Sequence, residues 1–186
     1  MILISNHLLT LEEFNIKNRL GEENSIFKND KNIVIRINMA HVKDIEELYR
    51  FVKVGYDIFL DYPKGRTKPP VPTLDINDAL EVMSRHENIK YFALSNIEDV
   101  SEVDIICDII PDTVSFVPKI ETLQGVLNLE KIFKSDRVKH IMLDSEDLFT
   151  DIKNDVQLYT YLIERVKKTC KDSGVELLKL SGVVFS

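Results

Sequence analysis

Lys119 and Glu121 stand two apart in the run VPKIE, which otherwise reads as a buried strand. Side chains alternate along a strand, so these two point the same way. Burying a lysine and a glutamate is costly unless they pair or bind something. The same alternation, applied to other β-rich runs, places further polar residues late in each strand. Arg36 and Asn38 share one face of NIVIRIN, opposite Ile35 and Ile37. Asp61 opposes Ile58 and Leu60, Ser95 lies with Ala93, Asp144 opposes Leu143 before the chain reaches Asp147, and Lys179 and Ser181 oppose Leu178 and Leu180. Read from residue types alone, Lys119 neutralises Glu121 or serves a ligand, and Arg36 and Asp61 form an inward salt bridge or a binding pair. A desolvated Lys179 could form a Schiff base, against the plainer reading of a paired lysine.

Positioning these residues takes an alternation of strands and helices. Seven β-rich runs stand out: MILIS, NIVIRINM, YDIFLDYP, KYFALSN, TVSFVPKIE, KHIMLDSED and VELLKLSGVVFS. Helical spacing separates most of them. Ile45, Leu48, Tyr49 and Val52 recur at i, i+3, i+4 and i+7, as do Ile76, Ala79, Leu80 and Met83. Val156, Tyr159, Ile163, Val166 and Cys170 give the last helix an apolar stripe. Strand then helix, repeated, predicts a mostly parallel α/β fold. Polar residues at the C-terminal ends of the strands match the rim of a TIM-type (β/α) barrel, where reaction sites sit. A flat doubly wound sheet would tolerate the inward charges poorly, and no Gly-rich phosphate loop follows the first strand. The polar stretch GEENSIFKNDKN and the proline-rich PKGRTKPPVPTLD read as loops, and neither divides the single domain expected over residues 1–186.

The 186 residues suffice for a sizeable core. Hydrophobic residues at 44% and charged residues at 30% are ordinary for a globular protein. A net charge of -7 argues against nucleic acid or an anionic membrane as partner. No apolar run approaches a membrane span, and MILISNHLLTLEEF lacks the marks of a signal peptide, so a cytoplasmic location is expected. Cys107 and Cys170 lack metal-ligand spacing and read as buried thiols in a reducing compartment.

Five segments carry a resemblance to the catalytic barrel of pyruvate kinase and its relatives in the phosphoenolpyruvate/pyruvate superfamily, including the citrate lyase β-subunit and the HpcH/HpaI aldolases. IRINMAH resembles R-L-N-F-S-H, FLDYPKGRT resembles L-D-x-x-G-P-x-I-R-T, and FALSNIEDV resembles S-F-V-R-x-x-x-D-V. VPKIETLQGVLNLEKI is similar to K-I-E-N-x-x-G-x-x-N-x-x-E-I, and IMLDSEDL is similar both to I-M-V-A-R-G-D-L and to the G-A-E-D-L of the citrate lyase branch. The resemblance spans about residues 32 to 181. It implies that Glu121 and Asp147 bind Mg²⁺ or Mn²⁺ together with a small 2-oxo acid such as pyruvate or phosphoenolpyruvate. Hard oxygen ligands suit those ions. It gives Lys119 and Arg36 catalytic, substrate-side roles and gives Asn38 and Asp61 the ligand positions of a monovalent cation such as K⁺; it sets Ser181 near the enol carbon if VELLKLSG is the family's seventh strand rather than the eighth, whose M-L-S-G LKLSG also resembles.

The departures from pyruvate kinase shape the functional expectation. Only KPPVPTLDINDA stands where its lid domain would be, and no C-terminal domain follows. Asp144, Ser145 and Glu146 replace the A-R-G whose backbone amides hold the carboxylate. About seven strands make the barrel short or incomplete, which implies a homo-oligomer or a partner subunit to cover an open edge. The favoured reading is a divalent-metal-dependent lyase or aldolase acting through a pyruvate-type enolate. The alternatives are pyruvate kinase-like phosphoryl transfer with phosphoenolpyruvate and a non-catalytic barrel subunit.

Overall fold

The computed structural model describes residues 1–6, 33–53, 55–179 and 182–184. GEENSIFKNDKN and Ser181 lie outside the described residues. Two compact units emerge, Met1–Lys90 with Leu180–Ser186, and Tyr91–Lys179.

In the first unit, β1 (Ile2–Asn6), β2 (Ile33–Asn38), β3 (Asp57–Tyr62) and β8 (Gly182–Val184) lie in the order β3-β2-β1-β8, every pair parallel. β2 is built from Ile33, Val34, Ile35 and Ile37, branched side chains that suit a pleated surface, and all four are buried. Parallel register sets Arg36 beside Ser5 on one side and Phe59 on the other, and Asn38 beside Asp61. Beyond β2 the chain makes one 3-10 turn, Met39–His41, and then α1 (Ile45–Phe51). α2 (Ile76–Arg85) opens on a capping box, in which Asp75 accepts from the amides of Asn77 and Asp78 while the Asp78 carboxylate accepts from the Asp75 amide. Its buried face is Ala79, Val82 and Met83; Ala79 and Met83 belong to the stripe the spacing suggested, whose Ile76 and Leu80 are half-buried. Between β3 and α2 the proline-rich stretch is irregular, as its composition requires.

In the second unit, β4 (Ile89–Leu94) pairs through Tyr91–Leu94 with β5 (Ser115–Ile120), which pairs with β6 (His140–Leu143), which pairs with β7 (Glu176–Leu178), again all parallel. Crossovers carry α3 (Val100–Ile109), α4 (Leu123–Leu127), α5 (Leu129–Ile132), α6 (Ser145–Asp151) and α7 (Val156–Ser173). Side-chain oxygens of Asp99, Thr122, Asp144 and Asp155 accept amides in the first turns of α3, α4, α6 and α7, so each crossover starts on a cap the sequence supplies. Phe92, Phe116, Val117, Ile120, Leu129, Ile141 and Leu148 are buried in this unit.

Three expectations change. The run KHIMLDSED is not strand throughout: β6 stops at Leu143 and Asp147 stands in the first turn of α6, because Asp144 caps a helix there. The final run VELLKLSGVVFS yields two short strands, β7 and β8, so eight strands are present among the described residues. The buried stripe of α7 is Leu162, Val166, Thr169 and Cys170, and Val156 is 66% exposed at the helix start. Cys107 and Cys170 are buried free thiols, and burial pushes Cys170 up to about 11. Among the described residues no helix is long and apolar enough to cross a membrane.

Candidate metal centre

The lysine and glutamate of the KIE run face each other. Lys119 Nζ lies 2.8 Å from Glu121 Oε1, with both side chains buried. The ammonium also donates to Ser95 Oγ at 2.9 Å, and that hydroxyl donates to Glu121 Oε1 at 3.2 Å. The Asn96 amide donates to Glu121 Oε2 at 3.0 Å. A carboxylate taken out of water is thus met by an ammonium, a hydroxyl and an amide, which is what tolerating its charge requires. β5 ends at Ile120 just before Glu121, and β4 ends just before Ser95 and Asn96, so adjacent parallel strands deliver these groups at their C-terminal ends.

Next to β5, β6 delivers two more carboxylates. The Asp144 amide donates to the Ile120 carbonyl at 3.1 Å, extending the ladder beyond Leu143. Asp144 Oδ1 then accepts from the Asp147 amide at 3.2 Å and starts α6. Asp144 as N-cap and Asp147 in the first turn thus both bring a carboxylate oxygen close to Glu121. Each of Glu121, Asp144 and Asp147 contributes an oxygen, and the three oxygens lie within 4.8 Å of one another. Three hard, anionic oxygen donors at that spacing fit a divalent cation of the Mg²⁺ or Mn²⁺ class. The sequence reading picked out Glu121 and Asp147 and missed Asp144 as a donor. The signal was present in D-S-E-D, an Asp-x-x-Asp at a strand end, but Asp144 was weighed there only as a substitute for amide donors.

The other residues singled out belong to the first unit. Arg36 Nε donates to Asp61 Oδ2 at 2.8 Å, Nη2 donates to the same oxygen, and Nη1 donates to Ser5 Oγ at 2.9 Å. All three side chains are buried. The inward salt bridge is therefore present, with Ser5 as a member that alternation along MILIS could have flagged. Asn38 Oδ1 accepts from the Ala40 amide at 3.0 Å and caps the 3-10 turn. Lys179 is exposed after β7, so it is not the core lysine expected and lacks the desolvation a Schiff base asks for.

Comparison with curated proteins gives no match. Among solved structures, macrophomate synthase superposes with a TM-score of 0.68 at 12% identity, over 99% of this chain and 77% of that one. An HpcH/HpaI aldolase/citrate lyase family protein from Burkholderia cenocepacia gives 0.67 at 12% identity, over 95% and 78%. The HpcH/HpaI aldolase from Desulfitobacterium hafniense gives 0.63 at 14% identity, over 95% and 76%. These likenesses establish the fold class as α/β of the TIM-barrel type, in a short form. Residues 23–184 match the HpcH/HpaI aldolase/citrate lyase family, and the chain belongs to that family of lyases and aldolases.

Proposed function

We propose that the protein is a divalent-metal-dependent lyase or aldolase, one domain over residues 1–186, that makes or breaks a carbon–carbon bond beside the carbonyl of a small 2-oxo acid such as pyruvate. The observation that carries this reading is the convergence of Glu121, Asp144 and Asp147 within 4.8 Å, at the ends of neighbouring parallel strands in a chain of this family. Glu121, Asp144 and Asp147 would hold Mg²⁺ or Mn²⁺. When bound there, such an ion supplies Lewis-acid polarisation of a carbonyl and stabilises negative charge that develops on its oxygen.

The chain's own residues divide the remaining work. Lys119 offsets part of the carboxylate charge and, with Ser95, fixes the orientation of Glu121. In the first unit, Arg36 carries a permanently charged guanidinium whose plane Asp61 and Ser5 set. Phosphoryl transfer fits less well. It asks Lys119 to neutralise a transferring group, whereas that ammonium is committed to Glu121, and a monovalent cation on Asp61 would have to compete with Arg36.

The test is exchange of pyruvate methyl protons in deuterated water, followed by proton NMR. Exchange that needs Mg²⁺ or Mn²⁺, stops with chelator and is lost in Glu121→Gln and Asp147→Asn is the expected result. Exchange indifferent to chelator overturns the metal-dependent reading. Metal binding with no exchange of any 2-oxo acid overturns the enzymatic one.

A further inference from the structure

Glu121 owes its orientation to a loop from another strand. Between β4 and α3 the chain turns left-handed at Asn96, with φ 54°, and this turn presents the Asn96 amide to Glu121 Oε2. A non-glycine residue at positive φ is held there by its surroundings. Here the holds are specific. Thr122 Oγ1 donates to Glu98 Oε1 at 2.7 Å, and Asn128 Nδ2 donates to the Glu98 carbonyl at 2.8 Å. The Ile97 amide donates to the Lys119 carbonyl at 3.2 Å. Gly125 sits so close to the loop that a Cβ on it would lie 2.8 Å from the Ile97 carbonyl oxygen and 3.3 Å from Ile120 Cγ2. Thr122, Gly125 and Asn128 recur every third residue along TLQGVLN, on the face that α4 turns to the loop. Each touches the loop differently: a hydroxyl, a missing side chain and an amide.

We propose that Thr122, Gly125 and Asn128 are positioning residues for the metal centre. They clamp the Asn96–Glu98 loop so that the Asn96 amide aims the Glu121 carboxylate at the cation. The inference rests on the cation-binding reading of Glu121 and deepens it, as groups outside the ligand set commonly set metal affinity by orienting the ligands.

The test uses the full chain and two readouts. Mn²⁺ affinity is measured by electron paramagnetic resonance, and exchange of the Asn96 amide is measured by NMR without metal. Thr122→Val and Asn128→Asp remove one clamp each and are expected to weaken Mn²⁺ binding about tenfold and to speed Asn96 exchange. Thr122→Ser keeps the hydroxyl and is expected to behave as wild type. Gly125→Ala pushes on the Ile97 carbonyl and is expected to weaken binding as well. Asp155→Ala, which uncaps α7, is the control: its Tm falls while both readouts stay put. Wild-type affinity together with unchanged Asn96 protection in Thr122→Val and Asn128→Asp overturns the clamp. Wild-type protein that takes no Mn²⁺ overturns the cation reading, and the Asn96 exchange rates then still decide whether the clamp exists.

Discussion

Lys119 is the counter-charge of Glu121, and this sets the outcome of removing it. In Lys119→Met, Glu121 is left buried with its ammonium gone. Breaking one partner out of a buried pair costs about 3 kcal/mol, so urea melts of the metal-free variant should show a loss of that order. Saturating Mn²⁺ should restore part of it, because a divalent cation replaces the missing positive charge. A variant as stable as wild type without metal would remove Lys119 from this role. Asp144→Asn asks a different question. Asparagine caps a helix as well as aspartate does, so α6 should survive, while Mn²⁺ affinity should fall by more than about tenfold. Unchanged affinity would reduce the centre to Glu121 and Asp147. At this scale the sequence was most readable where a polar side chain interrupts an apolar strand. Arg36, Asp61, Lys119 and Glu121 announced themselves that way. Asn96 did not, since its contribution is a backbone amide aimed by a φ angle, and asparagine's leaning toward that angle names no partner for the amide.

Elements tell a similar story with different gaps. The parallel strands and their order along the chain followed from the period-two runs, because buried β-branched stretches have few other homes. Boundaries were harder. In KHIMLDSED the apolar pattern ends at Leu143, yet the polar tail was absorbed into the strand, and the helix cap at Asp144 was missed. The α7 stripe held at Val166 and Cys170, with Tyr159 and Ile163 half-buried, but it was begun too early, since Val156 stands at the helix start and faces solvent. At the opposite end of β6, His140 packs edge-on to Tyr91 and stands 3.5 Å from Glu176 on β7. Burial lowers its pKa from 6.5, against the pull of Glu176. The neutral form is therefore favoured in the folded state. The stability that depends on it is intact above pH 6.5 and is lost as pH falls through the lower folded value. Replacing His140 with Gln should flatten the decline of Tm below that pH, leaving the part that comes from His86, whose pKa is also lowered. An unchanged slope would show that His140 does not titrate in this window.

For the molecule as a whole, the net charge of -7 favours capture of cations over anions, and the three carboxylates concentrate that charge. Binding confined to the folded state stabilises it by about 2.7 kcal/mol when free metal exceeds Kd a hundredfold. Adding Mn²⁺ should raise Tm, and chelator should reverse the rise; a Tm blind to both would mean that no cation is taken up. The fold class was legible because most of the strand-like runs are followed by a helical pattern, whereas the division into two units has no local signature in the chain. Asp144 is already fastened to the start of α6 and Glu121 to the Asn96 amide before any ion arrives. Such a socket is ready-made, and its occupant has little disorder to remove. Calorimetric titration with Mn²⁺ should accordingly show a heat-capacity change near zero, in contrast to the large negative value of a chain that must fold around its ion.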